Sequence, residues 1–351
     1  MERYSVYQDI AARTGGDIYL GVVGPVRTGK STFIKRFVEL MLLPEIENEA
    51  FAKRAKDELP QSAAGRTIMT TEPKFVPEQA VTVSMEDGGE FRARLIDCVG
   101  YMVKGAMGQA EAGRPRMVKS PWFEDEVAFD LAAETGTKKV ICEHSTVGVV
   151  MTTDGSISDL PRSAYEEAEE RVIEQLQEIQ KPFVILLNCV RPDSLEAMTL
   201  ADELSEKYQK PVMPISCVDM TQETILEILR RLLYEFPIRE VGFAVPSWVT
   251  MLEKDHWLQK SVYHAVQQYA QELDVMADLQ TAQMECEYVQ SASVKSMALG
   301  TGSAVMEVTL IPDLFYRILS ETTGLEISDE AGLMPCVIEL AKIKEKYDKI
   351  A

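Results

Sequence analysis

Histidine is scarce in this 351-residue chain. His144, His256 and His264 are too few and too dispersed to build a convincing metal site. Cysteine is also thin. Cys98, Cys142, Cys189, Cys217, Cys286 and Cys336 include no C-x-x-C pair, and most sit in apolar contexts. They read as reduced core residues of a cytosolic protein. Basic residues are outnumbered, 36 Lys and Arg against 56 Asp and Glu, for a net charge of −20. Such a field repels phosphate backbones, so no nucleic acid is expected as a partner, and anionic lipid is an equally poor one. No apolar run is long enough to cross a bilayer. The N-terminus, Met1-Glu2-Arg3-Tyr4, lacks the apolar core of a signal peptide. Internal repeats and low-complexity tracts are absent as well. What remains, 46% hydrophobic and 26% charged, is an ordinary soluble composition with length for two domains.

Against that background one stretch stands out. Gly24-Pro25-Val26-Arg27-Thr28-Gly29-Lys30-Ser31 is a full G-x-x-x-x-G-K-S pattern. Residues 18–23 before it form an apolar run that reads as a buried strand. Residues 31–43 after it carry Phe33, Ile34, Phe37, Val38 and Met41 at helical spacing. Strand, glycine loop and helix together form a phosphate-binding loop. Its backbone N–H groups and helix N-terminus would face a nucleotide's phosphates, with Gly24, Arg27, Thr28, Gly29 and Thr32 in the cradle. Lys30 would reach the β- and γ-phosphates, and Ser31 would ligate Mg²⁺. A plain tight turn explains the two glycines but not the Lys-Ser pair directly after them.

Downstream, residues 65–73 form a threonine-rich polar loop. Residues 80–85 and 91–98 read as two strands joined by a Gly-Gly hairpin. The second strand ends in Asp97-Cys98-Val99-Gly100, a D-x-x-G. Its Asp97 is placed for the Mg²⁺ shell and its Gly100 for close approach to the γ-phosphate. By motif order, Thr70 or Thr71 should bind Mg²⁺ and sense the γ-phosphate. The hairpin is foreign to a purely parallel sheet and suggests, by fold analogy, the translation-factor-like branch of P-loop NTPases. Residues 101–122 form a loop with Lys104, Arg114, Arg116 and Lys119. Either it is a solvated surface segment, or it is ordered by nucleotide or a neighbouring subunit, with Arg114 or Arg116 as a weaker finger candidate.

Helices expected over 124–144, 165–181, 195–208 and 224–236 alternate with strands over 145–153, 183–188 and 212–216. This pattern builds an α/β nucleotide-binding and hydrolysing domain over 1–240. Residues 241–351 read as a smaller α+β domain for packing or self-assembly. It holds one long amphipathic helix over 256–280, two strands and two further helices.

Guanine-specific relatives of this fold close the base pocket with N-K-x-D. Here Asn188-Cys189-Val190-Arg191 keeps the Asn and lacks the Lys and the Asp, while Ser216 falls in the last base-contacting loop. Losing a paired hydrogen-bonding site removes a discrimination of ~10⁴ or more, so ATP is expected, on the loss of guanine selection and not on any gain of adenine selection. The Gln that usually follows D-x-x-G is replaced by Tyr101, so hydrolysis must be slow or depend on another group.

GPVRTGKSTFI at 24–34, QSAAGRTIMTTEPKFVP at 61–77, LIDCVGY at 95–101, EHSTVGVV at 143–150 and AEERVI at 168–173 closely resemble the stage IV sporulation protein A family. These are spore-coat morphogenetic ATPases of endospore-forming bacteria, and the resemblance covers the whole chain. It implies a GTPase-like fold that hydrolyses ATP with Mg²⁺. It also implies self-assembly into a static homopolymer, the basement layer of the coat on the mother-cell side of the forespore surface. Carried onto this chain, it makes Lys30 the phosphate-loop lysine, Asp97 the Mg²⁺-shell acid and Thr70 or Thr71 the sensor. Family members continue into a C-terminal domain that docks on a small membrane-bound amphipathic peptide, beyond Ala351 of this sequence. Two other readings stay open: a nucleotide-binding scaffold with negligible turnover, and a regulatory GTPase.

Overall fold

The computed structural model describes residues 2–60, 73–84, 90–105, 110–111 and 114–349. Two compact units emerge, residues 1–237 with 299–301, and residues 238–298 with 302–351.

The first unit is a six-stranded sheet between two helical layers. Its strands are β1 (Asp17–Val23), β2 (Lys74–Ser84), β3 (Glu90–Asp97), β4 (Val147–Thr153), β5 (Phe183–Asn188) and β6 (Val212–Ile215), in the order β6-β5-β4-β1-β3-β2. All neighbours run parallel except β2, which pairs antiparallel with β3 at the sheet edge. The central strands β4 and β5 are buried at every residue, as expected for parallel strands covered on both faces. One face carries α1 (Glu2–Thr14), α2 (Lys30–Phe37) and α7 (Gln222–Tyr234). There Ile10, Phe33, Phe37, Ile228 and Leu232 pack on Leu20, Val149 and Leu186. On the other face lie α5 (Glu166–Glu178) and α6 (Leu195–Tyr208), where Val172, Leu176 and Leu204 pack on Val150 and Ile185. Among the described residues this unit also holds α3 (Glu49–Asp57) and α4 (Phe129–Lys139). Ser194 and Thr221 cap α6 and α7 by accepting backbone N–H bonds in the first turn.

Several elements depart from the sequence reading. The expected helix over 31–43 is α-helical only to Phe37 and continues as a π-helical turn, Val38–Leu42. The helix expected from 124 starts at Phe129, because Val127–Ala128 pairs with Met117–Val118 as a short ladder. Strand β2 begins at Lys74, six residues before the expected start at 80. It tolerates Pro77, which has no N–H to donate, because an edge strand needs no donor at every position and the register shifts between Val76 and Val81.

In the second unit β7 (Glu240–Ala244) runs parallel to β9 (Ser303–Leu310), and β8 (Val289–Ala298) pairs antiparallel with β9. Strand β7 escaped the sequence reading, being five residues long without clear alternation. The helix expected over 256–280 is two pieces, α8 (Trp257–Gln271) and a turn of helix at Asp278–Thr281. The Asp278 carboxylate accepts from the backbone N–H of Asp274 and Val275, taking donors a continuous helix would use. Leu273 and Met276 stay buried across the break, which is why their spacing mimicked one helix. Two further helices follow, α9 (Leu314–Thr323) and α10 (Glu330–Asp348). Among the described residues no helix is long and apolar enough to cross a membrane.

Candidate functional site

At the carboxyl end of β1 the chain enters a loop that wraps the start of α2. Gly29 is the N-cap of α2 with φ 93°, and a Cβ there would stand 2.2 Å from the Asn188 amide nitrogen. Only glycine allows that approach. Thr28 is fully buried and its hydroxyl donates to the Pro25 carbonyl at 2.9 Å. Arg27 has φ 63°, a left-handed conformation forced by the loop path. Ser31 and Thr32 are half-buried in the first turn of α2.

Lys30 is 5% exposed, and its ammonium donates to the carbonyls of Pro25 at 2.7 Å and Gly24 at 3.2 Å. Burial holds its pKa below the ordinary lysine value, with Cys98 and Asp97 pulling the other way. Parallel pairing of β3 with β1 brings Asp97 opposite Val22, beside the loop. The Ser31 hydroxyl donates to Asp97 Oδ2 at 3.0 Å. Asp97 Oδ1 is buried and meets no donor in hydrogen-bond geometry. Burial raises the Asp97 pKa, and Lys30 and Ser31 only partly offset it. A hydroxyl and a carboxylate with one idle oxygen form a hard-oxygen donor pair that suits Mg²⁺, an ion that takes few protein ligands and completes its shell with water and phosphate. No cluster of three or more His, Cys, Asp or Glu able to hold a metal occurs among the described residues. A second cation centre of that kind has no candidate there.

Gly100 closes the other side, with φ 90°. A Cβ would lie 2.1 Å from the Gly24 carbonyl oxygen and 2.6 Å from the Lys30 ammonium. The structure therefore brings Gly24, Thr28, Gly29, Lys30, Ser31, Asp97 and Gly100 into one cradle. Thr70 and Thr71 lie outside the described residues, as does the side chain of Arg114. The Arg116 guanidinium rests 5.1 Å from the Phe129 ring centroid.

Asn188, the half of the base motif that this chain keeps, is a structural tie. Its amide nitrogen donates to the Thr28 carbonyl at 3.0 Å, and its amide oxygen accepts from the Cys217 N–H at 3.1 Å. One buried side chain thus joins the phosphate loop to the turns after β5 and β6. Arg191 and Ser216 stand in those turns, and the Ser216 hydroxyl donates to Asp219 at 2.7 Å. Val190 and Val218 are 59% and 71% exposed there.

Two features had escaped the sequence reading. Tyr101 does not face the cradle at all; its ring is buried in the second core layer. Glu169, fully buried on α5, accepts from both terminal nitrogens of Arg162, from Tyr208 at 2.7 Å and from Thr152 at the end of β4. The signal was available: Glu169 shares the apolar face formed by Tyr165, Val172 and Leu176, where a lone carboxylate needs a buried partner.

Comparison with known proteins agrees with this architecture. Residues 1–237 match the family model described as "Stage IV sporulation protein A, ATPase domain", and residues 238–351 match "Stage IV sporulation protein A, middle domain". The chain is 49% identical over 354 residues to stage IV sporulation protein A of Bacillus subtilis (strain 168), covering all of this chain and 72% of that protein. It is 47% identical to the Bacillus anthracis protein of that name, over all of this chain and 72% of the relative. Identity to the Clostridioides difficile (strain 630) protein is 43% over 349 residues, 99% of this chain and 71% of the relative.

Proposed function

Because the chain belongs to the stage IV sporulation protein A family, we propose that it binds Mg²⁺·ATP in the cradle around Lys30, hydrolyses it, and uses turnover to self-assemble in building the spore coat. The observation that carries this reading is the convergence of Lys30, Ser31, Asp97 and Gly100 on one loop. Lys30 would leave the Gly24 and Pro25 carbonyls for the β- and γ-phosphates. Ser31 and Asp97 would hold Mg²⁺, which when bound neutralises charge on the phosphates. Gly100 would present its N–H to the γ-phosphate. Thr70 and Thr71 are proposed as sensor and additional Mg²⁺ ligand. The antiparallel β2–β3 pair supports assignment to the translation-factor-like branch.

Loss of guanine selection is read from Arg191, which offers donors only and cannot accept from guanine N1 and N2. Guanine donors left unpaired would cost about 1–3 kcal/mol. Asn188 and Ser216 would border the base site. Residues 238–351 are proposed as a packing or assembly module. The site of action is the mother-cell cytoplasm at the forespore surface, with other copies of the chain and coat proteins as partners.

The test is kcat/KM for ATP and GTP at one Mg²⁺ concentration, with Arg191→Asp alongside, followed by single-turnover hydrolysis. ATP should be used at least as well as GTP, and Arg191→Asp should narrow the gap. A tenfold wild-type preference for GTP would favour the regulatory GTPase, and absence of single-turnover product would favour the non-hydrolysing scaffold.

A further inference from the structure

The D-x-x-G segment does not end at Gly100 in structural terms. The next residue, Tyr101, is 2% exposed and is anchored at both ends. Its backbone forms an isolated parallel bridge with the phosphate loop at Pro25. The Tyr101 N–H donates to the Gly24 carbonyl at 3.2 Å, and its carbonyl accepts from the Val26 N–H at 2.9 Å. Its phenol donates to Gln175 Oε1 on α5, and the Arg171 guanidinium lies 5.2 Å from its ring centroid. Arg171 is itself paired with Glu134 of α4. Burial raises the phenol pKa well above its ordinary value, so the hydroxyl stays a donor throughout the neutral range.

The Gly24 carbonyl joins this latch to the chemistry. That oxygen accepts from Tyr101 N–H and from the Lys30 ammonium alike, both at 3.2 Å. Gly100 sits against both groups, and only a residue without a side chain fits there: a Cβ would overlap the Gly24 oxygen and the Lys30 nitrogen. When Lys30 turns to a phosphate, Tyr101 is the group that still holds Gly24 O. A side chain at this chain position that pointed into the cradle could touch water or phosphate; this one points away and is held from behind.

We propose that Tyr101 is a positioning residue for γ-phosphate cleavage, its phenol latched to Gln175 and its ring to Arg171 so that Gly24, Gly100 and Lys30 keep one spacing as nucleotide enters. The proposal rests on the hydrolytic reading given above. The latch sets where the γ-phosphate sits against Gly100, and has no contact with the base or the α-phosphate. Its loss therefore falls on kcat rather than on KM.

The experiment uses the full chain carrying Tyr101→Phe, Gln175→Met, both together, and Gln175→Glu, which retains an acceptor for the phenol. Tyr101→Phe and Gln175→Met should each lower kcat about five- to tenfold, the size of one lost hydrogen bond. KM for ATP should stay within twofold and Tm within a few degrees. The double variant should be no worse than either single one, since both remove the same bond. Gln175→Glu should recover kcat. Unchanged kcat in Tyr101→Phe, losses that multiply in the double variant, or a kcat that merely follows Tm would overturn the proposal. Amide exchange of the nucleotide-free protein reads the latch without turnover. Val26 and Tyr101 amides should exchange slowly in the wild type and at least tenfold faster in Tyr101→Phe. Equal exchange overturns the latch, whereas a wild type that hydrolyses no ATP while showing this exchange difference sinks only the hydrolytic reading.

Discussion

Replacing Lys30 by Met separates the two things this side chain does. The ammonium is nearly fully buried and held by two loop carbonyls, with its pKa lowered chiefly by burial. A lowered folded-state pKa means the folded chain binds fewer protons than the unfolded one between that lowered value and the ordinary value of 10.5. Stability therefore rises with pH across that window, and below it the buried charge is a constant cost. Met fills the same channel without that cost. Neither carbonyl is orphaned, because Gly24 O keeps the Tyr101 N–H and Pro25 O keeps the Thr28 hydroxyl at 2.9 Å. Without nucleotide, Lys30→Met should melt at or slightly above the wild-type temperature.

Nucleotide binding should respond in the opposite way. Truncating one member of a buried charge pair costs about 2–5 kcal/mol, which at 1.4 kcal/mol per decade weakens binding by roughly 30-fold to several thousand-fold. Thermal melts without nucleotide and fluorescent-ATP titration with Mg²⁺ measure both sides. A Kd within threefold of the wild type, or a nucleotide-free Tm lower by about 5 °C or more, would refute the reasoning.

Gly100→Ala puts a Cβ 2.1 Å from the Gly24 oxygen at φ 90°; a left-handed strain of about 1–2 kcal/mol and a displaced Lys30 should cut turnover at least tenfold, read by phosphate release. Glu169→Ala leaves the part-buried Arg162 guanidinium without its carboxylate and Tyr208 and Thr152 without their acceptor, so the urea midpoint should fall by the equivalent of about 2–4 kcal/mol, with Arg162→Met added to Glu169→Leu recovering part of it. Burial pushes the thiols of Cys98 and Cys189 up to about 11 and that of Cys217 to about 12, while Cys142 is exposed. Iodoacetamide near neutral pH should thus label Cys142 and spare these three, as mass mapping would show. For each raised thiol the contribution to stability is full below the unfolded value and is lost as pH rises through the folded one, so strong alkali should open the nucleotide unit and expose them together.

The phosphate loop, the D-x-x-G and the alternation of strands and helices were legible without coordinates. Each depends on neighbours a few residues away: glycines at fixed offsets, an apolar strand before them, a helical period after them. The departure from N-K-x-D at Arg191 is likewise a fact of local sequence, and its consequence for base choice is what the ATP and GTP comparison measures. The destination of side chains was not legible. Tyr101 follows the D-x-x-G directly, yet its phenol turns to Gln175, 74 positions on, because α5 packs on that face of the sheet. Asn188 kept its place in a base motif while its two hydrogen bonds went to Thr28 and Cys217, which only adjacency of β5 and β6 brings within reach. The apolar spacing across 256–280 could not reveal a break. Leu273 and Met276 remain buried whether the chain continues as a helix or turns, and the choice was made by one carboxylate, Asp278, competing for the backbone donors of Asp274 and Val275. Periodicity along a chain records which residues avoid water. Which partners they meet is set by the packing of segments distant in sequence, and that information exists only once the sheet and its two helical layers have formed.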